Sequence, residues 1–175
     1  MQQYMSTEYI SFGSDCAIAY HLSRLGLRTQ SYPFDWIMTA NIVPCLVDHF
    51  EHFMDGWTMK KQVIAPAIGD EWQDHEETMV RMTNAYGFTF LHDVGPYTDL
   101  DTVKEKYIRR IQRFHTVMLD DTIQKHVFRM SKQNESLDTV CDQLGYKNVI
   151  VHWSPIVSGS SWKKEEFKWD QWFSL

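Results

Sequence analysis

Cysteine is scarce in this sequence, and what there is lies scattered. The 175 residues hold three, Cys16, Cys45 and Cys141. An odd, widely spaced set argues against a disulfide framework, and the absence of any CxxC pair argues against a structural zinc site. Positive charge is also short: 17 Lys and Arg against 23 Asp and Glu leave a net charge of -6. That disfavours nucleic acid as a partner. No apolar run approaches membrane-spanning length, so no membrane partner is expected. The opening MQQYMSTEY lacks the basic start and apolar stretch of a signal peptide. The default location is therefore cytoplasmic, in a reducing compartment. There is no GxGxxG and no P-loop, so no nucleotide cofactor is expected. Repeats, low-complexity segments and linkers are lacking too, and residues 1–175 read as a single domain.

What is present is a ring-rich apolar complement: 43% hydrophobic and 14% aromatic, enough for a substantial core. EYISFG reads as a strand. SDCAIAYHLSRLG reads as a helix capped by Ser14 or Asp15 and stopped by Gly26. TANIVPCLVDHFEHFMDG suggests a second helix with Pro44 in its first turn. Between Trp57 and Gly87 the pattern is weak, although MVRMTNAYG fits a strand and turn. FTFLHD alternates like a strand. DLDTVKEKYIRRIQRFHTVML carries one apolar stripe, Val103, Tyr107, Ile111, Phe114 and Met118, with Arg109, Arg110 and Arg113 read as a solvated face. KHVFRMS, NESLDTVCDQLG and NVIVHWS follow as strand, helix and strand, the last apolar enough for a central position. The alternation predicts an α/β layered fold, a mainly parallel sheet flanked by helices.

Cys16 is the leading candidate for chemistry. It falls where a strand turns into a helix, and free N–H groups at a helix start favour a thiolate and can hold an oxyanion. Asp15 opposes this, because a neighbouring negative charge disfavours the thiolate. A buried, inert thiol is the competing reading. His92 at the end of FTFLHD can serve as the base, with Asp93 orienting it if the chain turns at Gly95-Pro96. His152 is a rival base at another strand end. In a parallel sheet Cys16, His92, Arg129 and His152 would gather at one edge. Arg129 can hold a carboxylate or phosphate, with Gly13, Ser14 and Asp15 as the turn around that ligand. Asp35 and Trp36 in YPFDW can bind a sugar or orient a histidine, or plug the core. Asp70, Asp74, His75 and Glu77 match no strong metal pattern, and neither do His49 and His52, so no metal is expected.

ISFGSDCAIAYHLSRLGLRTQSYPFDW, followed by FLHD, YIRRIQRF and VFRM, resembles the DUF1796 family, whose name places it among papain-like cysteine peptidases. The resemblance runs from about Tyr9 to Trp153, with Asp15 standing where that family typically has Asn. It implies a cysteine-dependent hydrolase or acyltransferase with Cys16 as nucleophile and His92 as base, and an α+β papain-like fold as the alternative architecture. The substrate would be a small molecule or a peptide. The other reading of the residues is a non-peptidase α/β protein holding a phosphate- or sugar-bearing ligand at the same turn. The oligomeric state is open.

Overall fold

The computed structural model describes residues 6–63, 78–95, 97–130, 136–154 and 163–174. In chain order the elements are β1 (Ser6–Ser11), α1 (Cys16–Arg24), β2 (Ile37–Met38), α2 (Val43–Val47), β3 (Thr58–Val63) and β4 (Thr78–Thr83). They continue as β5 (Thr89–Phe90), α3 (Leu100–Leu119), β6 (Ile123–Met130), α4 (Leu137–Gln143), β7 (Val149–Ser154) and α5 (Trp169–Phe173).

The strands form two sheets. One is parallel, in the order β1-β6-β7; the other is antiparallel, in the order β2-β5-β4-β3. The expectation of a mainly parallel sheet therefore holds for three strands and fails for four. Strand–helix alternation does mark β1-α1, α3-β6 and α4-β7. The antiparallel sheet arises from the weakly patterned middle of the chain and from two strands of only two residues each, too short to show a period. The mixture of the two sheets with helices is compatible with an α+β arrangement as well.

A second correction concerns the centre of the parallel sheet. It is β6, paired on both sides, and not β7, which lies at the edge with Ile150 exposed. Paired Val149–Ser154 is half-buried along most of its length, whereas Val127–Met130 of β6 is buried throughout. An apolar run reports low polarity, which an edge strand covered on one face can share with a central one.

Adjacent residues of β6 point to opposite faces, and each face has its own core. Val127 joins the larger core, where Phe34, Phe50, Phe53, Phe88, Phe90 and Phe114 pack edge to face. Phe128 and Met130 join the smaller one, built from Ala17, Ile18 and Leu22 of α1 with Trp169 and Phe173 of α5. The aromatic tail thus packs on its own chain.

On α3 the buried stripe is Val103, Tyr107, Phe114, Val117 and Met118, with Ile111 half-buried. Arg110 is also buried, which corrects its placement on a solvated face; Asp93 is the partner that makes its burial tolerable. Among the described residues no helix is long and apolar enough to cross a membrane. The acidic stretch with Asp70, Asp74, His75 and Glu77 lies outside the described residues.

Candidate active site

β1 runs into α1 through a turn with two successive left-handed residues, Gly13 at φ 75° and Ser14 at φ 74°. A Cβ on Gly13 would lie 2.6 Å from Thr39 Oγ1, so both conformation and space call for glycine here. Ser14 is an L-residue in a region that costs it about 1 kcal/mol or more. Two hydrogen bonds hold it there: its N–H donates to Thr39 Oγ1 at 2.9 Å, and its hydroxyl donates to the Met130 carbonyl at 2.8 Å. Asp15 then caps α1, its Oδ1 accepting the Ala17 N–H at 2.9 Å, and Cys16 follows as the first helical residue.

His92 reaches Cys16 from the other sheet. It stands two residues beyond β5, and its Nε2 is 3.2 Å from Cys16 Sγ. The two residues are 76 positions apart in the chain. β2 links the halves of the site. It pairs antiparallel with β5, Ile37 opposite Phe90. Continuing that register sets Trp36 beside the chain that carries His92, and the two rings meet edge to face at 5.6 Å between centroids. At the other end of β2, Thr39 receives the Ser14 N–H. The His92 ring and the Cys16 turn are therefore located by the same short strand.

Burial dominates the electrostatics. It pushes the Cys16 thiol up to about 12, with the Asp15 charge adding to the effect and Lys164 opposing it. Burial also pulls His92 below the ordinary histidine range, against the attraction of Asp93 and Asp15. Both shifts favour the neutral forms, a thiol and an uncharged imidazole, in the resting pair. A thiol facing Nε2 at this distance can hand its proton to the ring as the sulfur attacks a carbonyl.

The remaining candidates have different positions. Asp93 accepts from Lys106 Nζ at 2.7 Å, Tyr107 Oη at 2.6 Å and Arg110 Nη1 at 3.0 Å, so its carboxylate is fastened to α3. Its influence on His92 is a charge effect. Asp35 is wholly buried, paired with Arg28 and accepting the Tyr32 N–H at 2.8 Å, in the core-plugging arrangement. Burial pushes it up to about 6 in spite of Arg28. The Arg28 guanidinium also lies 5.3 Å from the centroid of Trp36, on the ring that meets His92.

Arg129, 1% exposed, donates to the Phe12 carbonyl at 2.7 Å, Thr39 Oγ1 at 3.0 Å and the Ala40 carbonyl at 2.8 Å. It ties β1 and β6 to the segment after β2. His152 Nε2 is hydrogen-bonded to His126 Nδ1 at 3.0 Å, and the His152 ring packs on Phe128. The rival base is thus engaged along the parallel sheet, while His92 is the histidine at Cys16. Of the four residues expected to gather at one sheet edge, Arg129 shares Thr39 Oγ1 with the turn ahead of Cys16, His92 arrives from the antiparallel sheet, and His152 is bonded to His126.

Thr39, Met130 and Lys164 contribute to this site without any signal in the local sequence; each reaches it from far along the chain. His52 pairs with Asp55 at the surface, and among the described residues no three His, Cys, Asp or Glu side chains are grouped to hold a metal.

Comparison with known proteins shows the family of the chain. It is 36% identical over 123 residues to "Uncharacterized protein R408" of Acanthamoeba polyphaga mimivirus, covering 62% of this chain and 55% of that one. The chain thus spans about half the length of that curated relative. No solved structure matches. A family model matches residues 7–146, which include the Cys16 turn, β2, His92, α3 and β6, and the chain belongs to that family, described as "Putative papain-like cysteine peptidase (DUF1796)".

Proposed function

We propose that the protein is a cysteine-dependent hydrolase or acyltransferase acting on a peptide or a small acyl substrate. The observation that carries the reading is the 3.2 Å approach of Cys16 Sγ and His92 Nε2 at the start of a capped helix. In the reaction, Cys16 Sγ attacks the substrate carbonyl as its proton passes to His92 Nε2. The N–H groups at the start of α1 other than that of Ala17, which Asp15 holds, stabilise the oxyanion. The tetrahedral adduct collapses, and His92 returns the proton to the leaving group. Water or an acceptor amine then attacks the thioester, with His92 taking its proton, and frees the thiol. Trp36 holds the imidazole plane, and Asp93, its carboxylate held by α3, biases the ring by charge. All three cysteines are free and buried, which fits a protein that works in a reducing, intracellular setting.

The alternative of a phosphate- or sugar-binding turn has less behind it. Arg129 already donates to two carbonyls and a hydroxyl of the chain itself.

Alkylation of the full chain with iodoacetamide, mapped by mass spectrometry, tests the assignment. Cys16 is expected to react ahead of Cys45 and Cys141, and His92→Ala is expected to slow it at least about tenfold at neutral pH, since a base within hydrogen-bonding reach contributes on that scale or more. Equal reactivity of the three thiols, or a Cys16 rate unchanged in His92→Ala, overturns the reading.

A further inference from the structure

Asp15 is the neighbour that counts against Cys16, and the fold supplies it with a partner from the far end of the chain. Lys164 Nζ is ion-paired with Asp15 Oδ2, across 149 positions of sequence. Both side chains are mostly buried, 16% and 17% exposed, so solvent screens the pair only in part.

The lysine is held there by its backbone. Lys164 has φ 50°, left-handed for a residue with a Cβ. Its carbonyl accepts the Trp169 indole N–H at 2.7 Å and the Phe167 N–H at 3.1 Å. Trp169 stacks on His21 of α1 at 4.4 Å, and His21 Nε2 bonds the Lys163 carbonyl at 2.6 Å. Arg24 Nη2 adds an ion pair to Asp170 at 2.8 Å. The tail is thus docked along the helix whose first residue is Cys16. A strained backbone persists only where the surroundings over-determine it, and here they do.

We propose that Lys164 is a positioning residue of the Cys16 site: its ammonium neutralises Asp15, so that the carboxylate caps α1 without opposing a Cys16 thiolate. For catalysis this rests on the cysteine-hydrolase reading, but the charge compensation itself can be measured on the thiol alone. The two carboxylate oxygens divide the work: Oδ1 takes the Ala17 N–H and Oδ2 takes Lys164. In keeping with this, Lys164 acts on the Cys16 thiol in the direction opposite to Asp15. The segment that carries Lys164 lies beyond residues 7–146, which the family model matches, so the site would be completed by residues outside that region.

The test is the pH profile of iodoacetamide alkylation of Cys16 in the full chain, from about pH 6 to about pH 10, with Cys16→Ser as the blank. Lys164→Met is expected to slow alkylation about fivefold to tenfold near pH 8 and to move the profile to higher pH, the size expected for one unit charge a few ångströms away in a partly buried site. Lys164→Arg should stay within about twofold of the parent. Asp15→Asn, which keeps a good capping side chain, should restore the Lys164→Met profile and, on its own, react at least as fast as the parent. A Lys164→Met profile that superposes on the parent overturns the proposal. So does an Asp15→Asn variant that reacts more slowly, a measurement that stands even if Lys164→Met fails to fold. If His92→Ala leaves the rate unchanged while Lys164→Met lowers it, the hydrolase reading falls and the charge compensation stands.

Discussion

Asp93 shows how a single carboxylate can be claimed by the scaffold rather than by the neighbour it flanks. Three donors from α3 converge on it, and together they hold it below the usual carboxylate range against the opposing effect of burial. Because its folded pKa is depressed, its contribution is fully present above the unfolded value near 3.8 and is lost as pH falls through the lower folded value. Asp93→Asn is expected to cost roughly 3 kcal/mol at neutral pH, since Arg110 is left buried with a neutral partner. That deficit should shrink as both proteins are taken from neutral pH into strong acid, below the depressed folded value, where the parent carboxyl is protonated as well. Urea denaturation at the two pH values checks this, and equal deficits at both would contradict it. His92 was legible as a candidate from its position at a strand end. The partners of Asp93 were not, because Lys106, Tyr107 and Arg110 meet it only when α3 packs against the end of β5.

Among the elements, β2 has the largest effect for its size. Its two residues set Trp36 against His92 at one end and Thr39 under the Ser14 turn at the other. Thr39 Oγ1 accepts from both the Ser14 N–H and Arg129, so Thr39→Val leaves two buried donors short of a partner and should cost about 2 kcal/mol or more. Gly13→Ala forces a Cβ to 2.6 Å from the same hydroxyl in a left-handed conformation, and should cost about 1–3 kcal/mol. Both variants are expected to slow Cys16 alkylation more than their loss of stability explains, because each shifts the turn that points the thiol at His92. Thermal melts run beside alkylation rates would show it; rates that follow stability alone would contradict it. The α1 helix was readable in sequence, with its cap narrowed to Ser14 or Asp15, because capping and helical spacing are local. β2 was not, since two residues carry no period and their pairing with β5 is a long-range event.

At the scale of the whole molecule, the two cores on opposite faces of the parallel sheet do different work. The larger core, around Phe114, fixes α3 and the antiparallel sheet; the smaller, around Trp169, fixes the tail on α1. Truncating either ring, Phe114→Ala or Trp169→Ala, should cost about 3–5 kcal/mol. For a chain of this size that lowers the melting temperature by roughly 10 °C. The functional consequences should separate. Trp169→Ala also removes the indole N–H that holds the Lys164 carbonyl, so Cys16 alkylation near pH 8 should fall. Phe114→Ala, assayed well below its melting temperature, should leave that rate within about twofold of the parent. Indistinguishable alkylation rates in the two variants would contradict this division.

The sequence by itself determined the local elements: the strand and capped helix around Cys16, the long amphipathic α3, and the strand–helix pattern from α3 through β7. These follow from side-chain periodicity, short polar caps and glycine stops, all of which act within a few residues. Only the tertiary structure decided which histidine meets Cys16, which carboxylates belong to the framework, and that a lysine 149 positions away answers Asp15. The same holds for the division into one parallel and one antiparallel sheet. Strand register, buried charge pairing and ring packing join residues distant in the chain, and their energies exist only once desolvation and close contact have brought the partners together.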